Sequence, residues 1–431
     1  MSKSRLFKDR LILGLSWFFS LISVFVLGAI LVFIFRTGFE DLSWDMIKGD
    51  YNSKNVIARV EDSELAKAGN FHAPSSLPAG TYYSRKFGLA LQDGLDKNKS
   101  KVVTVYAIDP ESPLMHAKSI TAGQEGQLMR PFPGMVLKKL TYLDAEGNRG
   151  HVGPQVQKNA QKSVAELDEK AEVFYEYFGQ SKGGGIRGSM LTSVMLIAIT
   201  LVVVLPIGIC AAIWLNEVAA KNRFTDIIRT GIDMLAGIPS IIFGLMGMTM
   251  LYPITAAFGI QGQSIVLGGL TMSVVLLPLV IRQTEEALKT VPVSMRMGSL
   301  SLGASLTQTI FRVVLPQAMP GIVTACLLSI SRVIGESAAL IYTMGVAISD
   351  QPVFSRGATT LALHVWKVMS GEQPDFAQAT AISIVILVVV LILNFLTRFI
   401  LSRLNRKQLG LDADKKSASK TSKVQAAGQE A

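Results

Sequence analysis

The chain has 431 residues, 49% of them apolar and 17% charged, and Lys plus Arg outnumber Asp plus Glu by 42 to 32 for a formal charge of +10. Apolar content at that level, with the charge gathered into blocks, describes a multispan membrane protein carrying soluble parts. The basic excess sits in short segments beside apolar runs, as topology signals do, which excludes a nucleic-acid-binding face; Cys210 and Cys326 both fall in apolar runs, which excludes a disulfide framework or a thiolate metal site.

The first apolar run, residues 11–35, follows Lys3, Arg5, Lys8 and Arg10. It is too long for a signal-peptide core and no small-residue cleavage site follows, so an uncleaved signal anchor is expected. Residues 36–185 come next, enough chain to bury a core of their own. A strand is expected over 101–108, and a hairpin from 135–143 and 149–152 around a turn at 145–148. Over 155–178 the pattern turns helical, with Val164, Leu167, Ala171, Phe174 and Phe178 as an apolar stripe leading into Gly183, Gly184 and Gly185. The expectation is a small α+β extracytoplasmic domain acting as an accessory module. His72, His116 and His151 are scattered through it without metal-ligand spacing.

Five further apolar runs, 186–215, 228–258, 265–281, 317–344 and 376–401, have the length of roughly twenty residues that a hydrocarbon core demands. A Gly-Ile-Pro-Ser segment at 237–240 is expected to kink the third span. Three basic groups follow the even-numbered crossings: Lys221, Arg223 and Arg229; Arg282, Lys289, Arg296 and Arg312; Arg398, Arg403, Arg406 and Lys407. They fall on the side of the basic N-terminus, so both termini are expected in the cytoplasm and 36–185 outside it. Glu217 and Asp233 read as interfacial. The chain thus divides into 1–35, an insert 36–185, a helical core 186–405 and a tail 406–431. That tail is rich in Lys, Ser, Ala and Gln without apolar periodicity, and reads as disordered and cytoplasmic.

Between the fourth and fifth spans lies a polar hairpin, about 285–316. Pro292 breaks the incoming helix, a short helix over 294–302 stops at Gly303, and a second begins at Ser305, carries Ile310, Val313 and Val314, and should halt at Leu315-Pro316. This resembles the coupling loop of ABC importer permeases, whose pattern is Glu-Ala-Ala, three residues, Gly, nine residues, Ile-x-Leu-Pro. Gly303 holds the Gly position, and Val313, Leu315 and Pro316 the Ile-x-Leu-Pro positions. Met297, Gly298 and Ser299 stand at Glu-Ala-Ala, so the loop carboxylate is missing.

Residues 212–219, 235–245, 277–287 and 329–338 are similar to the corresponding segments of the PstA-type permease subunits of bacterial phosphate ABC importers. The likeness covers roughly 188–406 and omits 36–185. It implies an all-α, six-span type I ABC importer permease fold with an inserted α+β extracytoplasmic domain, in the bacterial inner membrane. The implied partners are a PstC-like sister permease, a dimer of PstB-like ATP-binding subunits, a PstS-like periplasmic phosphate-binding protein and membrane lipid. No Gly-rich loop ending in Gly-Lys-Ser/Thr occurs, so a non-catalytic subunit without a cofactor is expected, with ATP used by the partner ATPase.

Within the fifth span Arg332 and Glu336 lie four residues apart, on one face of a helix. An Arg in a bilayer helix costs a few kcal/mol or more and is usually functional. Its guanidinium fork matches phosphate oxygens, and Glu336 is expected to pair with it when the path is empty. Ser329, Ser331 and Ser337 would add hydroxyl donors, and Gly335 close helix approach. Arg282, at the cytoplasmic end of span four, is a weaker path candidate that snorkelling also explains. Three alternatives stand beside this reading: a purely structural Arg332–Glu336 pair, another oxyanion such as sulfate, molybdate or a phosphonate, and an ATP-independent secondary transporter. The last should show repeated halves and leaves the Gly303 hairpin unexplained.

Overall fold

Chain order in the computed structural model, which describes residues 3–62, 64–74, 77–95, 101–121, 125–181, 183–371 and 374–408, begins with the long helix α1, Lys3–Gly38. Its residues from Ile12 onward are mostly exposed, and its second half packs on the last helix of the chain, with Gly38 lying against Thr380 and Ala381. A short helix α2, Trp44–Lys48, follows, capped by the Ser43 side chain on the Met46 amide.

Residues Asn52–Gly184 then form a compact unit of their own, starting later than position 36 because α1 and α2 belong to the membrane unit. Its strands are β1 (Asn55–Arg59), β2 (Thr81–Ser84), β3 (Leu89–Leu95), β4 (Lys101–Ile108), β5 (Lys118–Ser119), β6 (Val136–Leu143), β7 (Arg149–Val152) and β8 (Val173–Gln180). All pair antiparallel in the order β2-β3-β4-β6-β8-β1-β5, with β7 on β6. One helix, α3 (Ala160–Lys170), starts on an Asn159 cap and packs Val164 and Leu167 into a core with Phe87, Leu91, Leu140, Phe174 and Tyr177. Asp168 on α3 accepts the Ser84 hydroxyl at 2.6 Å and the amides of Arg85 and Lys86, tying helix to sheet. The helical stripe expected across 155–178 is therefore cut at Ala171. Its second half is a central strand, as the aromatic run around Phe174 and Tyr177 favours.

The membrane unit resumes with α4 (Arg187–Ile213), which ends in a π-helical turn, Trp214–Val218. Then come α5 (Arg223–Ala236), α6 (Ser240–Met246), a π-turn Gly247–Leu251, α7 (Tyr252–Ala257) and α8 (Ile265–Lys289). The remainder is α9 (Val293–Ser301), α10 (Leu306–Thr309), a π-turn Ile310–Val314, α11 (Leu315–Gly335), α12 (Leu340–Met344), α13 (Leu361–Met369) and α14 (Phe376–Gln408). Among the described residues six helical stretches are long and apolar enough to cross a membrane: Ile12–Gly38, Arg187–Val218, Ser240–Ala257, Ile265–Lys289, Leu306–Gly335 and Phe376–Arg403. The tail beyond Gln408 lies outside the described residues.

Helices α4 and α8 form the centre, burying Leu196, Val204, Met272, Leu276 and Val280. Their approach is close because Gly269 faces Ile199 and Gly208 faces Val280; a Cβ at either glycine would sit 2.5 or 2.6 Å from the opposing side chain. A second cluster, with Leu215, Ile281, Leu288, Ile310 and Val314, ties the far ends of α4 and α8 to the hairpin.

Two spans differ from expectation. The third does not kink at 237–240 but breaks: α5 ends at Gly237, and Pro239, which offers no amide to the ladder, starts a new helix, leaving Ser240–Ala257 as the span. Nor does the hairpin's second helix stop at Leu315-Pro316. It runs on through the π-turn, whose wider bonding, the Leu315 amide reaching the Ile310 carbonyl, accommodates Pro316 in the first turn of α11. The π-turn Gly247–Leu251 precedes Pro253 in the same way.

Leu167 is fully buried between α3 and the sheet. Leu167→Ala should cost about 2–5 kcal/mol of insert stability, read as earlier proteolysis within 52–184 on heating while the membrane helices stay protected.

Candidate functional site

The polar hairpin is built by its breakers. Helix α8 runs to Lys289, Pro292 opens α9, and Gly303 turns the chain at φ +82, a conformation side chains with a Cβ rarely adopt. Ser305 and Gln308 then exchange bonds as a capping box, and Ser299 Oγ meets Thr309 Oγ1 at 2.9 Å to close the hairpin. Met297 is 59% exposed and Leu302 89%, with Leu300 and Leu306 also open, so an apolar ridge stands on the hairpin uncovered by the described residues. Gly298 has open space around it. Val313 and Leu315 are half-buried, and Pro316 is exposed.

Beneath that ridge lies a pair the sequence does not announce. Arg296 meets Glu217 on the α4 π-turn with Nη2–Oε1 at 2.7 Å and Nε–Oε2 at 3.1 Å, and also donates to the carbonyls of Val291 at 2.6 Å and Leu288 at 2.8 Å. Only 7% of the Glu217 side chain and 17% of Arg296 is exposed. Glu217 is thus a buried partner of Arg296.

A second ionic group joins α5 to α8. Arg282 donates through Nε to Asp233 at 2.7 Å, makes a second bond to the same carboxylate, and reaches Glu285 at 3.3 Å. Glu285, 1% exposed, also faces Arg229 at 3.4 Å, and Arg229 donates to the Leu215 carbonyl of the π-turn at 2.8 Å. The bond from Arg282 holds the Asp233 carboxyl below the usual carboxylate range. Arg282 is committed to these partners and is not brought to Arg332.

Arg332 occupies the last turn of α11 and is exposed. Helix α11 ends at Gly335, and Glu336 is extended, at φ −80 and ψ 131. Its carboxylate accepts the amides of Ala338 at 3.1 Å and Ala339 at 3.4 Å, capping the turn that leads into α12. The four-residue helical spacing therefore does not exist here, and among the described residues no ion pair reaches Arg332. Ser329 is buried and donates back to the Ala325 carbonyl at 2.8 Å, so it offers nothing to the Arg332 face. Ser331 and Ser337 are half-buried, and the Ser337 carbonyl accepts the amides of Leu340 and Ile341. Among the described residues nothing lies within 4 Å of a Cβ added at Gly335, so the close helix approach expected there is not made. Met344 packs on Gly268 near the start of α8.

Among the described residues, six helices long and apolar enough to cross a membrane, a surface hairpin held by buried charge and an exposed arginine at a helix break describe a multispan membrane protein. The family of binding-protein-dependent transport system inner membrane components matches residues 204–409. The probable ABC transporter permease protein YqgI of Bacillus subtilis is 35% identical over 240 residues, 52% of this chain and 80% of that protein. Phosphate transport system permease protein PstA 1 of Mycobacterium tuberculosis is 31% identical over 231 residues, covering 52% and 73%. The PstA homolog of Mycoplasma pneumoniae is 32% identical over 220 residues, and there the alignment covers 49% of this chain but only 33% of the relative. A solved inward-facing MetNI methionine ABC transporter aligns over 51% of this chain and 95% of its own at a TM-score of 0.42 and 20% identity. The chain belongs to the binding-protein-dependent transport system inner membrane component family. It is an ABC importer permease component, a multi-pass inner-membrane subunit and not itself a catalyst.

Because Gly303 needs its conformation and not its space, Gly303→Ala should lower the thermal stability of the purified protein by about 1–2 kcal/mol, and Gly303→Asn by less.

Proposed function

We propose that this chain is the PstA-type permease subunit of an ATP-driven phosphate importer and forms half of the translocation path. The observation that carries the reading is Arg332: exposed in the last turn of an apolar membrane helix, with no ion pair in the described chain. A guanidinium so placed calls for an oxyanion or a carboxylate from outside the chain to offset its cost. Its planar fork fits two oxygens of a tetrahedral anion. Non-helical backbone, as at Glu336 to Ala339, is tolerated at membrane depth where it lines a wet cavity or is covered by protein. Relatives named as phosphate transport permeases favour phosphate over sulfate, molybdate or a phosphonate.

In this reading the ridge of α9 and the Gly303 turn seat on the ATP-binding subunits, a PstB-like dimer that binds and hydrolyses the ATP. A PstC-like sister permease supplies the other half of the path, and a PstS-like binding protein delivers the anion. Both termini lie in the cytoplasm and the 36–185 segment in the periplasm, as the basic loops demand.

Arg332→Gln should lower phosphate uptake by about 100-fold or more, the effect of removing about 3 kcal/mol of charge stabilisation, while the complex still co-purifies. Arg332→Lys should also transport poorly, and Glu336→Gln should be milder because Glu336 caps a turn. Normal uptake by an assembled Arg332→Gln complex would refute the assignment.

The Gly185 amide donates to the Asp50 carbonyl at 3.0 Å, so the two chain ends that flank the insert already meet. Replacing 52–184 with a short Gly/Ser linker should leave membrane insertion and ATPase association intact and reduce uptake chiefly at limiting binding protein. Full uptake under that limit would rule out a docking role.

A further inference from the structure

The apolar ridge of the hairpin points away from the rest of the chain, whereas Arg296 points inward and is met on three sides. Its two carbonyl acceptors, Leu288 and Val291, belong to the end of α8 and the link after it, where helix termini leave carbonyls without helical donors. Its carboxylate partner, Glu217, belongs to the π-turn that ends α4 and itself accepts a bond from the Asn216 side-chain Nδ2 at 2.8 Å. The same turn offers the Leu215 carbonyl to Arg229 of α5. One five-residue turn, Trp214–Val218, thus bonds directly to α9 and α5, and Arg296 carries the link on to the end of α8. A buried pair of this kind is weak evidence for stability as such, because desolvation offsets its attraction. What it does fix is geometry: α9 cannot tilt without carrying Glu217 with it. π-turns are also places where helices yield at functional sites.

We infer that the Arg296–Glu217 pair is the rigid link by which displacement of α9 is passed to the end of α4 and onward to α5, so that both are positioning residues for transport. The inference rests on the ATPase-coupled reading above and adds the route that force takes inside the subunit. Neither residue touches substrate.

The test uses the full complex in proteoliposomes, with this chain carrying Glu217→Gln or Arg296→Lys. Three readouts are taken: co-purification of the ATPase, basal ATP hydrolysis, and phosphate taken up per ATP hydrolysed in the presence of loaded binding protein. Both variants should assemble and hydrolyse ATP at the basal rate, with uptake per ATP lower by roughly tenfold, as losing one partner of a buried pair disrupts its geometry. Wild-type uptake per ATP in an assembled Glu217→Gln complex would overturn the link. So would loss of assembly in both variants, which would make the pair a folding element. A wild-type complex in which hydrolysis and uptake are uncoupled would overturn the function reading itself, and the link with it.

Discussion

Hydrocarbon provides no partner for a free backbone amide or carbonyl, and the membrane unit is organised around that constraint. It forces the apolar runs into helices and makes each interruption a place that needs a local explanation. Three interruptions are π-turns, Trp214–Val218, Gly247–Leu251 and Ile310–Val314, and the latter two immediately precede helices that carry a proline in their first turn. There the altered bonding absorbs the missing amide without opening the helix. The other two, at Gly237–Pro239 and at Glu336–Ala339, are true breaks. One frees the amphipathic helix α5 from the span that follows it, and the other ends α11 in the very turn that carries Arg332.

Charge follows the same logic. Arg229, Arg282 and Arg296 are long side chains near helix ends, and each finds a carboxylate or a free helix-end carbonyl within the chain. Those three therefore read as architecture. Arg332 differs because its nearest sequence-level candidate, Glu336, spends its carboxylate on two backbone amides. An arginine that the fold leaves for something else to satisfy is a different kind of residue from three that the fold satisfies, although all four look alike in sequence.

What the sequence reveals tracks the strength of the physical filter. Length and apolarity find six spans because the bilayer tolerates few other solutions. The strand at 101–108 is legible from Val102, Val103 and Val105. Residues 173–180 mislead because Phe174 and Phe178 stand four apart, a helical spacing, whereas in β8 a register irregularity opposite Thr141 and Tyr142 buries Phe174 and Tyr177 and leaves Phe178 only half-buried. A bulged strand can thus imitate a helical period. The hairpin is legible because Pro292, Gly303 and the Ser305–Gln308 box act locally. Its anchor is not, since Glu217 and Arg296 are 79 positions apart and neither shows by its neighbours that it is buried. The end of α11 was signalled only by Gly335, and the favourable spacing of Arg332 and Glu336 masks it.

The insert poses a different question, how a family fold accepts 133 residues, Asn52–Gly184, between its first two spans. The answer lies at the neck. The Ile186 amide donates to Met46 at 2.9 Å, Gly185 to Asp50, and Arg187 pairs with Asp50, while the Tyr51 amide is held by Asp350 at 2.6 Å. Entry and exit are thereby fixed side by side by groups of the membrane unit alone. Loop-closure entropy grows only with the logarithm of loop length, so once the ends are pinned a long insertion costs little more than a short one. The inserted chain must then repay its own ordering, which it does with an antiparallel sheet and a buried core of its own. Insert and permease core can therefore vary in sequence under separate constraints, which is consistent with a family match confined to 204–409.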